Sequence, residues 1–518
     1  MAARATTIPG GPFDVTEKTV AELQAAMASG KTSAQQLVRL YLTRIAAVDK
    51  AGPRLNAVIE LNPDALAIAT ALDAERKAKG PRGPLHGIPV LLKDNIATAD
   101  KMQTTAGSLA LMGIKPPRDA ALVARLREAG AVILGKTNLS EWANMRSTRS
   151  TSGWSARGGL SLNPYALDRN TSGSSSGSGS SMAASLAAVA VGTETDGSIT
   201  SPASVAGLVG IKPTVGLISR AGVVPIAHSQ DTAGPMARTV ADAAVLLTAL
   251  AGSDARDPAT GLADQKKADY TQFLDRKGLL GKRIGVVRSQ LTSSGDLVAA
   301  LVESQLAVLK AQGATLVDVA EVPNVAKYAD SELTVLLYEL KADMAAYLGD
   351  YGPNTPFKTL ADVIAFNNTH RAQEMPYFGQ EHFMNAQAKG GLDSKEYIDA
   401  LANNHRYARE EGLDQVMKEH QLDALVAPTC GPAWMTDFIN GDASGASFTA
   451  PAAVAGYPHI TVPCGFVHGL PCGLSFVAGA WAEGPLIAMA YAYEQASLQR
   501  RAPTYAKSRN VKVAAGLT

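Results

Sequence analysis

One stretch, residues 171–214, does most to limit what this chain can fold into: TSGSSSGSGSSMAASLAAVAVGTETDGSITSPASVAGLVGIKPT. Two loops rich in glycine and hydroxyl groups, one around Ser174, Ser175 and Ser176 and one around Gly197 and Ser198, are joined by a short apolar run. That run, 182–191, is expected to make about three helical turns. Glycine lets backbone N–H groups turn towards a ligand, and such an arrangement suits a developing negative charge. By composition alone TSGSSSGSGSS is a flexible linker. Its position argues otherwise, because an apolar run follows at once with no polar tract between.

The chain has 518 residues, 46% hydrophobic and 18% charged, with a net charge of +1. Length alone allows two to four domains. The charge balance gives no hint of a nucleic acid or an anionic membrane as partner. No apolar run reaches the roughly 18 residues of a transmembrane helix. The N-terminal MAARATTIPGGPFDVTEK holds no hydrophobic signal region. A soluble protein is expected, cytoplasmic or periplasmic, with any signal peptide missing from this sequence. Cys430, Cys464 and Cys472 form no C-x-x-C pair, and their odd number argues against a disulfide framework. Free core thiols are expected, although Cys464 and Cys472 flank an expected hairpin and are placed to face each other.

Strand-like and helix-like segments alternate, which favours an α/β class with a largely buried sheet. Ser33 and Gln36 have capping-box spacing and open a helix with Leu37, Tyr41, Ile45 and Val48 on one face. Strands are expected at 56–61, 88–92 and 131–134, with a helix over 63–79. Lys93 ends the second of those strands. The loop-rich passage 252–281 reads as a boundary or a surface excursion. Strands return at 283–287 and 314–319, helices fill 330–412, and 423–427 is strand. A hairpin at 459–463 and 473–478 and a helix over 485–499 close the chain.

Short motifs compete for the chemistry. Gly130 to Thr137 fits the P-loop pattern letter for letter, but its middle is Ala-Val-Ile-Leu, which is strand rather than phosphate-cradling loop. Gly173 to Gly177 fits the nucleophile elbow with Ser175 as nucleophile. An elbow must follow a core strand, whereas NPYALDRN (163–170) is polar and turn-prone. Histidines for such a triad exist further on, at His228, His370, His382, His405, His420, His459 and His468. On residues alone Lys93 stands no higher than Lys136 or Lys212, since a lysine at a strand end usually snorkels to the surface. Ser174 and Ser198 alone are ordinary turn hydroxyls.

Longer patterns separate these readings. HGIPVLLKDN (86–95), the segment 134–139, GSSSGS (173–178), GTETDGSI (192–199), PASVAGLVGIKPTVGLIS (202–219) and QDTAGPMAR (230–238) occur in order. In order and spacing they resemble the amidase signature family of serine hydrolases, over most of the chain. Within that family the chain is most similar to bacterial peptide amidases, which remove the C-terminal amide of peptides. SGWSARG (152–158), the GTETDGSI loop and AYAYEQ (490–495) carry that likeness.

Carried over by position, the resemblance makes Lys93 the base, Ser174 the bridging serine on a cis peptide bond, and Ser198 the nucleophile. It places the oxyanion hole at the backbone N–H groups of Thr195, Asp196, Gly197 and Ser198. It implies a single amidase domain over 1–518, with a signature core at about 80–240 and a helical, pocket-lining region at about 330–412. The implied fold is an α/β/α sandwich with a mixed, mostly parallel central β-sheet surrounded by helices. No cofactor and no metal are expected. The expected partner is a small-molecule or short peptide amide, on a chain that is monomeric, with an oligomer left open. Asp196 departs from the Gly-Gly-Ser-Ile-Arg of the wider family, as expected of peptide amidases. Asp231 and Arg238 read as a structural pair or as loop anchors.

The chemistry asks one thing of Lys93. A lysine is a base only when neutral, so action near pH 7 needs a pKa depression of roughly three units, or about 4 kcal/mol. Burial at the end of an apolar strand supplies that. Three other readings stand beside peptide amidase. They are another amidase acting on small aryl, alkyl or fatty amides, a glutamine-dependent amidotransferase subunit, and a non-enzymatic binding protein on this scaffold.

Overall fold

Eleven strands build one sheet in a computed structural model that describes residues 13–509. Residues 1–12, on which much of the signal-peptide expectation rests, lie outside the described residues. The strands are β1 (Val58–Leu61), β2 (Pro89–Lys93), β3 (Val132–Thr137), β4 (Val189–Glu194), β5 (Val209–Lys212) and β6 (Thr232–Ala237). They continue with β7 (Arg283–Val287), β8 (Thr315–Val319), β9 (Ala424–Pro428), β10 (His459–Val467) and β11 (Leu470–Val477). Their spatial order is β1-β3-β2-β4-β6-β5-β10-β11-β9-β7-β8.

The sheet is mixed. Parallel pairing is concentrated in two blocks, β3-β2-β4 and β9-β7-β8, while the pairs between them and the β1 edge are antiparallel. Every residue of β2, β3, β4 and β6 is buried, and in β2 and β3 this gives unbroken apolar runs rather than alternating ones. The P-loop look-alike is accordingly strand β3. Helix Ala34–Arg44 buries Leu37, Val38 and Tyr41. Ser33 Oγ accepts from Gln36 N at 3.2 Å, while the Asp73 carboxylate accepts from Ala34 N at 2.7 Å and Gln35 N at 2.9 Å.

The expected helix over 182–191 is wrong. The helix is α1 (Ser176–Ala183), built from the Ser/Gly tract itself, and the Ala/Val run that follows becomes β4. Serine and glycine are poor helix formers, so packing decides. Helix α1 is buried on every side, and a Cβ on Gly177 would lie 2.3 Å from Ala57 O and 2.5 Å from Asn138 O. Only a side-chain-free residue permits that approach. Ser178 and Ser180 satisfy their hydroxyls on Val191 O (3.4 Å) and Leu162 O (2.9 Å).

Further along, β4 leads through a tight loop into α2 (Thr200–Val205). The passage 252–281 holds three short turns, Pro258–Leu262, Ala263–Lys266 and Tyr270–Phe273, before β7. The helical region opens with the 27-residue α3 (Val325–Tyr351). Among the described residues no helix is long and apolar enough to cross a membrane. The three cysteines are free and buried.

Candidate active site

Strand β2 delivers Lys93 into the interior rather than to the surface, with none of its side chain exposed. Lys93 Nζ lies 2.7 Å from Ser174 Oγ, 2.9 Å from Thr193 Oγ1 and 3.2 Å from Thr193 O. Burial pushes its pKa down to about 7, against the opposing pull of Asp231 and Glu194. A neutral amine offers two N–H donors and one lone pair. Thr193 supplies two acceptors, which leaves the lone pair for the Ser174 hydroxyl. Asn95 Nδ2 holds the Thr193 hydroxyl in turn, at 3.0 Å.

Lys136 and Lys212 are equally buried, and burial pushes each down to about 8. Their amines are committed elsewhere. Lys136 donates to Ile96 O at 2.6 Å and Thr104 Oγ1 at 2.9 Å, and Lys212 to Pro213 O at 3.1 Å. Of the three lysines that end apolar runs, Lys93 is the one whose amine meets a serine of the two glycine loops.

The Gly173–Ser174 peptide is cis. Ser175 is spent inside the fold. Its Oγ donates to Thr193 O at 3.1 Å and accepts from Thr193 N at 3.2 Å, while its amide donates to Ser198 O at 3.1 Å. The elbow reading therefore loses its nucleophile. The same three bonds tie the first serine loop, the end of β4 and the second serine loop together. Ser198 keeps 8% of its surface, opens onto the cavity, and its Oγ makes no hydrogen bond among the described residues.

The loop carrying Ser198 is pinned from both ends. Glu194 accepts from Ile199 N at 2.8 Å and Thr200 N at 2.9 Å, closing the turn ahead of α2. Asp231 accepts from the Thr195 hydroxyl, from Ile226 N at 2.8 Å and from Ala227 N at 3.0 Å, and burial pushes its carboxyl up to about 6. Gln230 Nε2 holds Thr195 O at 3.3 Å. Gly197 takes φ +76°, a conformation that favours glycine. The amides of Thr195, Asp196, Gly197 and Ser198 make no hydrogen bond among the described residues, so they are free to serve an oxygen in the cavity. Asp231 and Arg238 prove to be separate anchors: Arg238 binds Lys18 O at 2.7 Å and Ala187 O and Ala188 O at 3.1 Å.

A cavity of about 370 Å³ opens over these groups. Gly173, Asp196, Ser198, Trp434, Asp442 and Leu336 are among the residues that line it. The helical region expected to line the pocket contributes Leu336 from α3, and the loop after β9 contributes more. Asn95 and Thr193 lie within quoted motifs but carry no role in the sequence reading, and Asp442 lies outside every quoted motif. Outside the cavity, His228 lies between Asp343 (Nδ1 to Oδ2, 2.9 Å) and Glu339 (Nε2 to Oε1, 3.3 Å) on α3, and hydrogen bonding to Asp343 pushes its pKa up.

The chain resembles known amidases in sequence and in fold. The family model described as Amidase matches residues 36–487. An Arabidopsis thaliana protein described as a probable amidase is 44% identical over 95% of this chain and 92% of its own. A glutamyl-tRNA(Gln) amidotransferase chain of Halorhodospira halophila is 36% identical, over 92% of this chain and 97% of its own. The structure of native peptide amidase from Stenotrophomonas maltophilia superposes with a TM-score of 0.90 at 54% identity, covering 95% of this chain and 100% of that one.

Proposed function

The chain belongs to the Amidase family and is an amidase, and from that premise we propose that it removes the C-terminal amide of peptides as ammonia, using Ser198, Ser174 and Lys93. The observation that carries the mechanism is the contact of buried Lys93 Nζ with Ser174 Oγ, at 2.7 Å, and Ser174 is next in sequence to Gly173, which lines the same cavity as Ser198. The substrate class is supported by the 54% identity to a peptide amidase.

In the proposed reaction Ser198 Oγ attacks the amide carbon. Its proton passes to Ser174, whose own proton passes to neutral Lys93. The negative oxygen is held by the free amides of 195–198, each such donor being worth about 2.7–4 kcal/mol. Ser174 then gives a proton to the leaving nitrogen and recovers one from Lys93. Ammonia departs, and the acyl group stays on Ser198 as an ester. Water attacks that ester with the same relay acting as base, which releases the peptide acid and restores Ser198. Neither step requires a metal. Continuity of one eleven-stranded sheet supports reading the chain as a single folding unit.

The test is ammonia release from a short C-terminally amidated peptide, beside the same peptide with a free carboxylate and beside glutamine. Rapid release from the amide alone, with internal peptide bonds intact, is expected. Release from glutamine alone would replace this reading with an amidotransferase-type one.

A further inference from the structure

One acidic group in the cavity takes no part in the bond-breaking steps. Asp196 lines the cavity two positions before Ser198. Its Oδ1 is closed off from solvent and accepts no hydrogen bond among the described residues. An unpaired polar atom in such a place is costly to keep, and buried carboxylates are normally paired.

The neighbours bear on its charge. Glu332 lies half-buried on α3, and its Oε1 accepts from Gln230 Nε2 at 2.9 Å. Burial pushes the Asp196 carboxyl up to about 6 while the Thr449 hydroxyl holds it down. Burial and then the charge of Asp196 push Glu332 up to about 8. Burial and their mutual repulsion therefore both work against two negative charges on this pair at once. Lys212 attracts Asp196 from a distance but spends its amine on Pro213 O at 3.1 Å. The cavity wall thus offers one carboxylate oxygen, Oδ1 of Asp196, that no donor among the described residues meets, and it repels a further anion.

Position narrows the donor. With the acyl carbon at Ser198 Oγ and its oxygen towards the amides of 195–198, a side chain from the middle of that run reaches only groups close to the carbonyl. Two N–H donors sit there in a peptide amide: the NH₂ being expelled, and the N–H on the carbon next to the carbonyl. The first is common to every primary amide and selects nothing. Resting on the amidase reading of this site, we propose that Asp196 is a specificity-determining residue that selects amides bearing an N–H on the carbon adjacent to the scissile carbonyl. Amides of amino acids and peptides are thereby preferred to simple aryl and alkyl amides.

The experiment compares N-acetyl-phenylalaninamide with its isostere 2-acetoxy-3-phenylpropanamide, in which that N–H is replaced by oxygen. Ammonia release is followed at pH 7.5, and mass spectrometry verifies that the acetoxy ester stays intact. The wild-type enzyme is expected to favour the N–H compound by about 100-fold in kcat/KM, the order expected when a charged acceptor loses its donor. Asp196→Ala is expected to bring that ratio near one, and Asp196→Asn, which keeps an acceptor oxygen, to retain part of it. Equal rates for both compounds in the wild type would overturn the inference and leave the amidase reading standing. An undiminished ratio in Asp196→Ala would also overturn it, by assigning the preference elsewhere. Ammonia from neither compound in the wild type would overturn the peptide-amide reading itself, and the inference with it.

Discussion

Replacing Lys93 by methionine removes the amine while keeping an unbranched chain of similar length. The pKa of Lys93 falls from 10.5 to about 7, so burial favours the neutral amine by about 5 kcal/mol at roughly 1.36 kcal/mol per unit. That amine is half neutral at pH 7 and about one-tenth neutral at pH 6. If neutral Lys93 is the base, kcat/KM of the wild type rises tenfold per unit from pH 5 to 6 and levels off above about 8, centred near the value of about 7 set by burial. Lys93→Met should lose about 10²- to 10⁴-fold, the usual contribution of a positioned base, and the remaining rate should be flat across that limb. Two other groups titrate close by, since burial holds Asp196 and Asp231 each at about 6. Lys136→Met supplies the control, because it removes a lysine of similar pKa, about 8, that touches neither serine. The assay is ammonia release from an amidated peptide between pH 5 and 9 for the three proteins. An acid limb that survives in Lys93→Met, or disappears in Lys136→Met, would refute the reasoning and hand the limb to another group.

Further expectations follow from the same geometry. Ser198→Ala should cost roughly a thousandfold or more in kcat without moving the melting temperature, whereas Ser175→Ala, which removes the hydroxyl that bonds Thr193 N and Thr193 O inside the fold, should lower stability more than chemistry. Near-complete loss of turnover in a folded Ser175→Ala would restore the elbow reading. Gly177→Ala drives a Cβ to 2.3 Å from Ala57 O and should cost about 3 kcal/mol or more, while Gly261→Ala, with nothing within 4 Å, should stay within about 0.5 kcal/mol in denaturant unfolding. His228 has its pKa raised in the folded state, first by the Asp343 hydrogen bond. Its contribution is then complete below the unfolded value near 6.5 and fades as pH rises through the folded one. His228→Ala should therefore destabilise more at pH 5.5 than at pH 9, and an equal loss at both would contradict the pairing.

Much of this fold was legible because burial writes itself into sequence. Ile88 to Leu92 and Ala131 to Leu134 read as two-faced buried strands, and 283–287 was placed to the residue. The tract 171–194 misled because propensity and packing disagree there. Its serines and glycines look like linker, yet that smallness is what lets α1 pack so closely that a Cβ added at Gly177 would lie 2.5 Å from Asn138 O. A run of alanines and valines fits a buried strand as well as a helix, and length gave no arbiter.

The site shows a different limit. Three lysines close three apolar runs, and all three are buried with lowered pKa values, so neither position nor burial singles out a base. What separates them is the set of acceptors each amine meets. Lys136 and Lys212 give their protons to carbonyl and hydroxyl groups of their own surroundings, one of them the residue next in sequence. Lys93 meets Thr193 and Ser174, 100 and 81 residues further on, and this leaves its lone pair facing a hydroxyl. Such a pairing is long-range, so no local pattern encodes it. The motif order reveals it only through likeness to chains in which the same segments already meet. The general lesson for a buried lysine is that a depressed pKa marks only the cost of burial, and the identity of the third partner on its nitrogen decides whether that cost becomes chemistry.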